Sequence, residues 1–84
     1  MKVDITIHPK THDAHIKFDF DQFKELKDLK DSVAILSMIS GDFSLDPEMT
    51  IEDFQSLIEQ GKSAENTAIT FDINEDGIEA EFSK

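Results

Sequence analysis

Both ends of this chain alternate apolar and polar residues, and the middle does not. Val3, Ile5 and Ile7 are separated by Asp4 and Thr6, and Ile16, Phe18 and Phe20 by Lys17 and Asp19. Near the other end Ile69, Phe71 and Ile73 are followed by Ile78, Ala80 and Phe82, again with polar residues between them. Period-two alternation describes a strand with one buried face. Four such segments need a layer to cover their apolar side, and only the middle of the chain can supply it.

The middle supplies it as helix. Phe23, Leu26, Leu29, Val33 and Leu36 recur every three or four residues, which predicts a helix over residues 21–40. Asp19 or Asp21 is the expected cap and Gly41 the expected left-handed stop. Lys24 with Asp28, and Lys27 with Asp31, are placed for i,i+4 ion pairs. A second helix is expected from Thr50, where Thr50 and Asp53 approximate a capping box. Ile51, Phe54, Leu57 and Ile58 form its stripe and Gly61 its expected end. The order is therefore β-β-α-α-β-β. The chain reads as one α+β domain over residues 1–84, with one antiparallel four-stranded sheet and two helices on its apolar face. Alternation fixes faces and leaves the strand order open.

Registers follow from keeping apolar residues together. In the first hairpin, pairing Ile7 with Ile16 sets Ile5 against Phe18, His8 against His15 and Asp4 against Asp19. In the second, Asn74-Glu75-Asp76-Gly77 is a turn sequence, and Ile73 pairs with Ile78. That register sets Asp72 against Glu79 and Thr70 against Glu81 on the polar face. Like charges directly opposed destabilise a sheet by some tenths of a kcal/mol. Two readings follow: a solvated acidic face that serves solubility alone, or a face suited to a cationic partner.

Charge sharpens the point. Residues 1–30 hold six acids and six lysines, whereas residues 31–84 hold thirteen acids against Lys62 and Lys84, so the whole net charge of −11 lies in the second segment. Such a surface repels nucleic acid and anionic lipid and attracts basic proteins. The chain has no cysteine, arginine, tryptophan or tyrosine. Thiolate chemistry, disulfides and the bidentate phosphate fork are excluded with them. An arginine-free composition that uses only lysine fits an AT-rich genome, such as that of a low-GC bacterium or its phage. The opening Met1-Lys2-Val3-Asp4 lacks the apolar core of a signal peptide, and the longest apolar run is Val33-Ala34-Ile35-Leu36. A cytoplasmic protein is expected.

Motifs for chemistry are few. No phosphate-binding glycine loop and no nucleophile elbow occurs, and two covering helices leave little room for a substrate pocket. No enzymatic activity and no cofactor is expected. Asp72-Ile73-Asn74-Glu75-Asp76-Gly77 matches the first half of a calcium-binding loop, with Asp72, Asn74 and Asp76 as ligands. Ser83 occupies the twelfth position, where a bidentate Glu belongs, and both flanks read as strands. His8 and His15, set across the first hairpin, form a second weak metal candidate, with His12 or Asp13 as a third ligand from the loop.

The functional expectation is a small, acidic, non-enzymatic protein-binding module, an inhibitor or regulator that engages a basic surface. In its sharpest form it imitates phosphate spacing and occupies a nucleic-acid-binding site. Asp42, Asp46, Glu48, Glu52, Asp53, Asp72, Glu79 and Glu81 are the candidate contacts. The alternative is an assembly component that self-associates, as a homodimer for example, through the apolar second half of helix one, at Ile35, Met38 and Ile39.

Overall fold

The computed structural model describes residues 3–84. The sheet contains β1 (Asp4–Ile7), β2 (Ala14–Asp19), β3 (Ala68–Asn74) and β4 (Gly77–Ser83), all antiparallel and in the order β1-β2-β3-β4. Between β2 and β3 run a short 3₁₀ turn (Phe20–Gln22), α1 (Leu26–Asp42) and α2 (Ile51–Ser63). The expected α+β architecture is present. The two hairpins join through β2 and β3, which puts those strands at the centre of the sheet.

Burial follows that order. The apolar residues of the central strands, Ala14, Ile16 and Phe18 on β2 and Ile69, Phe71 and Ile73 on β3, are sealed in the core. On β1, Ile5 is 45% and Ile7 61% exposed, although both project to the same side as Ile16 and Ala14 opposite them. The helices thus cover the centre of the sheet and leave the β1 edge partly bare. Phe18 anchors the interior, with ring centroids 5.3 Å from Phe54 and 5.9 Å from Phe71, both edge to face. Phe23 adds to the same cluster at 5.4 Å from Phe54. Edge-to-face pairs suit the ring quadrupoles and add about 0.5–1.5 kcal/mol each beyond area burial.

The first hairpin corrects the expected register by two residues. Ile5 faces Ile16, Ile7 faces Ala14, and Asp4 faces Lys17 rather than Asp19. A two-residue slip keeps every side chain on its face, so alternation cannot detect it. The connection is tied by the His8 N–H donating to the Asp13 carbonyl at 2.9 Å. The second hairpin has the expected register, with Ile73 opposite Ile78 and Asn74 opposite Gly77. Gly77 lies at φ 151°, a backbone conformation that L side chains rarely adopt. The Asn74 side-chain oxygen accepts the Asp76 N–H at 2.8 Å, closing the turn.

Helix ends differ from expectation at three points. Helix α1 starts at Leu26, not residue 21, because the Asp28 carboxylate reaches back to accept the N–H groups of Glu25 at 3.0 Å and Lys24 at 3.1 Å. Asp28 is therefore a cap, and the expected Lys24–Asp28 and Lys27–Asp31 ion pairs do not form among the described residues. Gly41 and Gly61 both lie inside helices, and Ser44 at φ 60° and Glu65 at φ 62° take the left-handed positions beyond them. Gly61 has a packing role. A Cβ there would stand 2.5 Å from Phe20 Cζ and 2.8 Å from Phe82 Cε1. At the start of α2 the expected capping box is present, with Asp53 N–H to Thr50 Oγ1 at 3.0 Å and Thr50 N–H to Asp53 Oδ2 at 3.1 Å.

Of the expected α1 stripe, Leu36 is buried and Phe23, Leu29 and Val33 pack against the core, and only Leu26 departs. Ser32, Leu36, Ile39 and Ser40 are buried, while Leu26 is exposed. The serines are tolerated there because each hydroxyl donates to the carbonyl four residues back, Ser32 to Asp28 at 2.8 Å and Ser40 to Leu36 at 2.6 Å. No helix among the described residues is long and apolar enough to cross a membrane.

Candidate functional site

The open face of the sheet carries its polar side chains in two cross-strand rows. One reads Asp4, Lys17, Thr70, Glu81 from β1 to β4, and the other Thr6, His15, Asp72, Glu79. The expected opposition of Asp72 with Glu79 and of Thr70 with Glu81 is present. His15, Thr70, Asp72, Glu79 and Glu81 line a shallow depression of about 310 Å³. The face is graded: its two positive-capable side chains, Lys17 and His15, both stand on β2, and the paired acids stand toward β4.

His15 lies across from Asp72, with Nε2 3.7 Å from Oδ1, the one approach of a basic nitrogen to a carboxylate oxygen within 4.0 Å among the described residues. No lysine nitrogen there comes within 4.0 Å of a carboxylate. Asp72 Oδ1 is itself shielded from solvent and receives no hydrogen bond, although the side chain as a whole is 38% exposed. An acceptor left in that state costs about 1–3 kcal/mol or more when charged. Asp13, two residues before His15 and on the same side of the β2 line, brings a second carboxylate to the group.

The remaining candidate contacts are dispersed. Asp42 ends α1, and Glu52 lies exposed in the first turn of α2. Asp46 accepts the Glu48 N–H at 2.8 Å in a local turn, with Glu48 at φ 49°. Asp53 is occupied as the α2 cap. Asp46 borders a cleft of about 400 Å³ with Met49, Phe71, Ile78 and Ala80, on the helix side of the sheet. Glu79 and Glu81 project from the other side. The sheet acids Asp72, Glu79 and Glu81 thus share the open face, and the connector and helix acids lie apart from them.

The metal candidates are rearranged. His8 does not face His15; Thr6 does, and His8 Nδ1 accepts the N–H groups of Lys10 and Thr11 at 3.3 Å in the connection. The calcium-type segment is divided among β3, a two-residue turn and the start of β4, with the Asn74 side chain accepting the Asp76 N–H and Asp72 standing directly across from His15. For self-association, Ile39 is core and Ile35 packs against the core, which leaves Met38, 66% exposed, as the free member. The grouping of Asp13 with His15 and Asp72 needed the β2–β3 pairing, which no local pattern encodes. Compared with protein-family models, with curated proteins and with solved structures, the chain matches none.

Proposed function

We propose that the protein is a non-enzymatic binding module whose open sheet face engages a basic protein surface. The observation that carries this reading is the Asp72–Glu79 opposition with Glu81 beside it, lining one depression without a lysine partner among the described residues. Opposed carboxylates raise the energy of the free state, and a cationic side chain set between them relieves it. A Lys or Arg from the partner satisfies both acids at once. The connector acids Asp42, Asp46, Glu48 and Glu52 contribute a diffuse field that steers encounter but sits apart from the depression. Imitation of phosphate spacing is the sharpest form of this reading, and its target is a nucleic-acid-binding protein.

The test compares capture of partners from the source lysate at low and high salt, with the wild type and with Asp72→Asn/Glu79→Gln/Glu81→Gln. Salt-sensitive capture lost in the triple variant supports the reading. Capture unchanged by salt, or by the triple substitution, overturns it. A second reading, self-association, is favoured by the exposed Met38, Leu26, Ile5 and Ile7. Sedimentation of a monomer at high micromolar concentration removes it.

A further inference from the structure

We propose that Asp13, His15 and Asp72 form a binding site for a divalent transition-metal ion of the zinc class. The proposal shares Asp72 with the partner reading but needs no second protein, so either can fail without the other. One donor atom from each of the three residues lies within 4.8 Å of the other two. His15 and Asp72 are directly paired on adjacent strands, and Asp13 stands in the connection immediately before β2, where its carboxylate comes to the same group. The Asp13 backbone is fixed, its carbonyl by the His8 N–H at 2.9 Å and its own N–H by Thr11 Oγ1 at 3.5 Å. Buried Ala14 between them holds the strand in register.

The separation favours an ion over a direct bond. At 3.7 Å, His15 Nε2 and Asp72 Oδ1 are too far apart for a hydrogen bond. Two donors on a tetrahedral Zn²⁺ at about 2.0–2.1 Å stand about 3.4 Å apart. The pair is therefore within a few tenths of an ångström of bridging such an ion. The independent sign is Asp72 Oδ1, a carboxylate oxygen shielded from water, receiving no hydrogen bond and turned toward the imidazole. An ion between the two groups supplies the missing partner. One imidazole with two carboxylates selects the zinc class over Mg²⁺ and Ca²⁺, which prefer all-oxygen shells. The fourth position falls to water.

The experiment is calorimetric titration of the full chain with ZnCl₂ in a non-chelating buffer, alongside ¹⁵N spectra of the histidine side chains. The expected result is one equivalent bound, a shift at His15 alone, and affinity at least about tenfold weaker in each of Asp13→Asn, His15→Gln and Asp72→Asn. The double variant His8→Gln/His12→Gln should bind as the wild type does. Circular dichroism of each variant checks the fold, and the wild-type His15 signal reads the site without any substitution. The proposal is overturned by absence of heat, by a shift at His8 or His12 in place of His15, or by affinity unchanged in folded His15→Gln and Asp72→Asn.

Discussion

Replacing Gly61 by Ala tests whether this glycine is present for packing or for its backbone. In a helix interior Ala is favoured over Gly by about 1 kcal/mol, so propensity alone predicts stabilisation. The structure predicts the reverse. The new Cβ would meet Phe20 Cζ at 2.5 Å, Phe20 Cε2 at 2.7 Å and Phe82 Cε1 at 2.8 Å. The two rings are packed edge to face at 6.3 Å, and Phe20 is additionally tied by its N–H to the Thr67 carbonyl at 2.9 Å. Phe20 is sealed in the core, so relief requires the two rings to shift together or α2 to lift from the sheet. Overpacking of this kind costs about 1–3 kcal/mol. The net expectation is a loss of up to about 2 kcal/mol in place of the gain that propensity predicts, read as a lower midpoint in urea and a fall of up to roughly 15 °C in melting temperature for a domain this size. Gly41→Ala is the internal control: it lies in α1 with nothing within 4 Å of its Cβ position, and should gain about 0.5–1 kcal/mol. Adding Phe82→Leu to Gly61→Ala should recover part of the loss, a coupling that a double-mutant cycle isolates. Equal stabilisation by both glycine substitutions would refute the packing argument.

Four further expectations concern the caps and the surfaces. Thr50→Ala removes one half of the α2 capping box and should cost about 1 kcal/mol in urea denaturation. Hydrogen bonds from the Glu25 and Lys24 N–H groups hold the Asp28 carboxyl below its ordinary value of 3.8, so its contribution is complete above that pH and disappears as pH falls through the lowered value. Acid titration should show Asp28→Asn losing less stability than the wild type below about pH 4. Ser40→Ala should change stability by less than about 1 kcal/mol, because the lost hydroxyl bond is offset by helix propensity and the Leu36 carbonyl keeps its helical partner; Leu36→Ala should cost about 2–5 kcal/mol. Met38→Asp should leave the fold intact by circular dichroism, whereas Ile39→Asp should unfold it, so only the former reports on self-association.

The parts of the fold that were legible rest on periodicity and turn chemistry. Alternation gave all four strands and their faces, and Asn74 to Gly77 gave the second hairpin its register. Thr50 with Asp53 gave the start of α2. Failures arose where two local signals were equivalent. Glycine after an apolar stripe is the usual helix stop, yet Gly41 continues α1 and Gly61 makes room for two rings from distant strands and turns. The start of α1 was set by Glu25 and Asp28, a box whose first member is Glu where Ser or Thr is usual. For the site, the acids of β3 and β4 were found because they belong to one hairpin. Asp13 beside Asp72 was not, because β2 and β3 are separated by both helices.

The slipped first hairpin shows that charge held information that alternation lacked. Both registers place Val3, Ile5 and Ile7 on the apolar side, so burial does not choose between them. The expected register opposes Asp4 to Asp19, a repulsive pair. The observed one opposes Asp4 to Lys17 and frees Asp19 for the end of β2. Cross-strand pairs of opposite charge contribute about 0.2–1 kcal/mol and like pairs cost a similar amount, so the difference is of the order that decides between registers of a four-residue edge strand. The same slip moves His15 from His8 to Thr6, a small neutral neighbour. His15 then has no competing partner on the β1 side, and Asp72 on β3 is the charged group directly across from it. The β2–β3 pairing brings His15 and Asp72 together at the centre of the open face, the β1 register sets only their neighbours on the far side, and the acidic asymmetry of the chain becomes a graded surface with its one imidazole at the boundary.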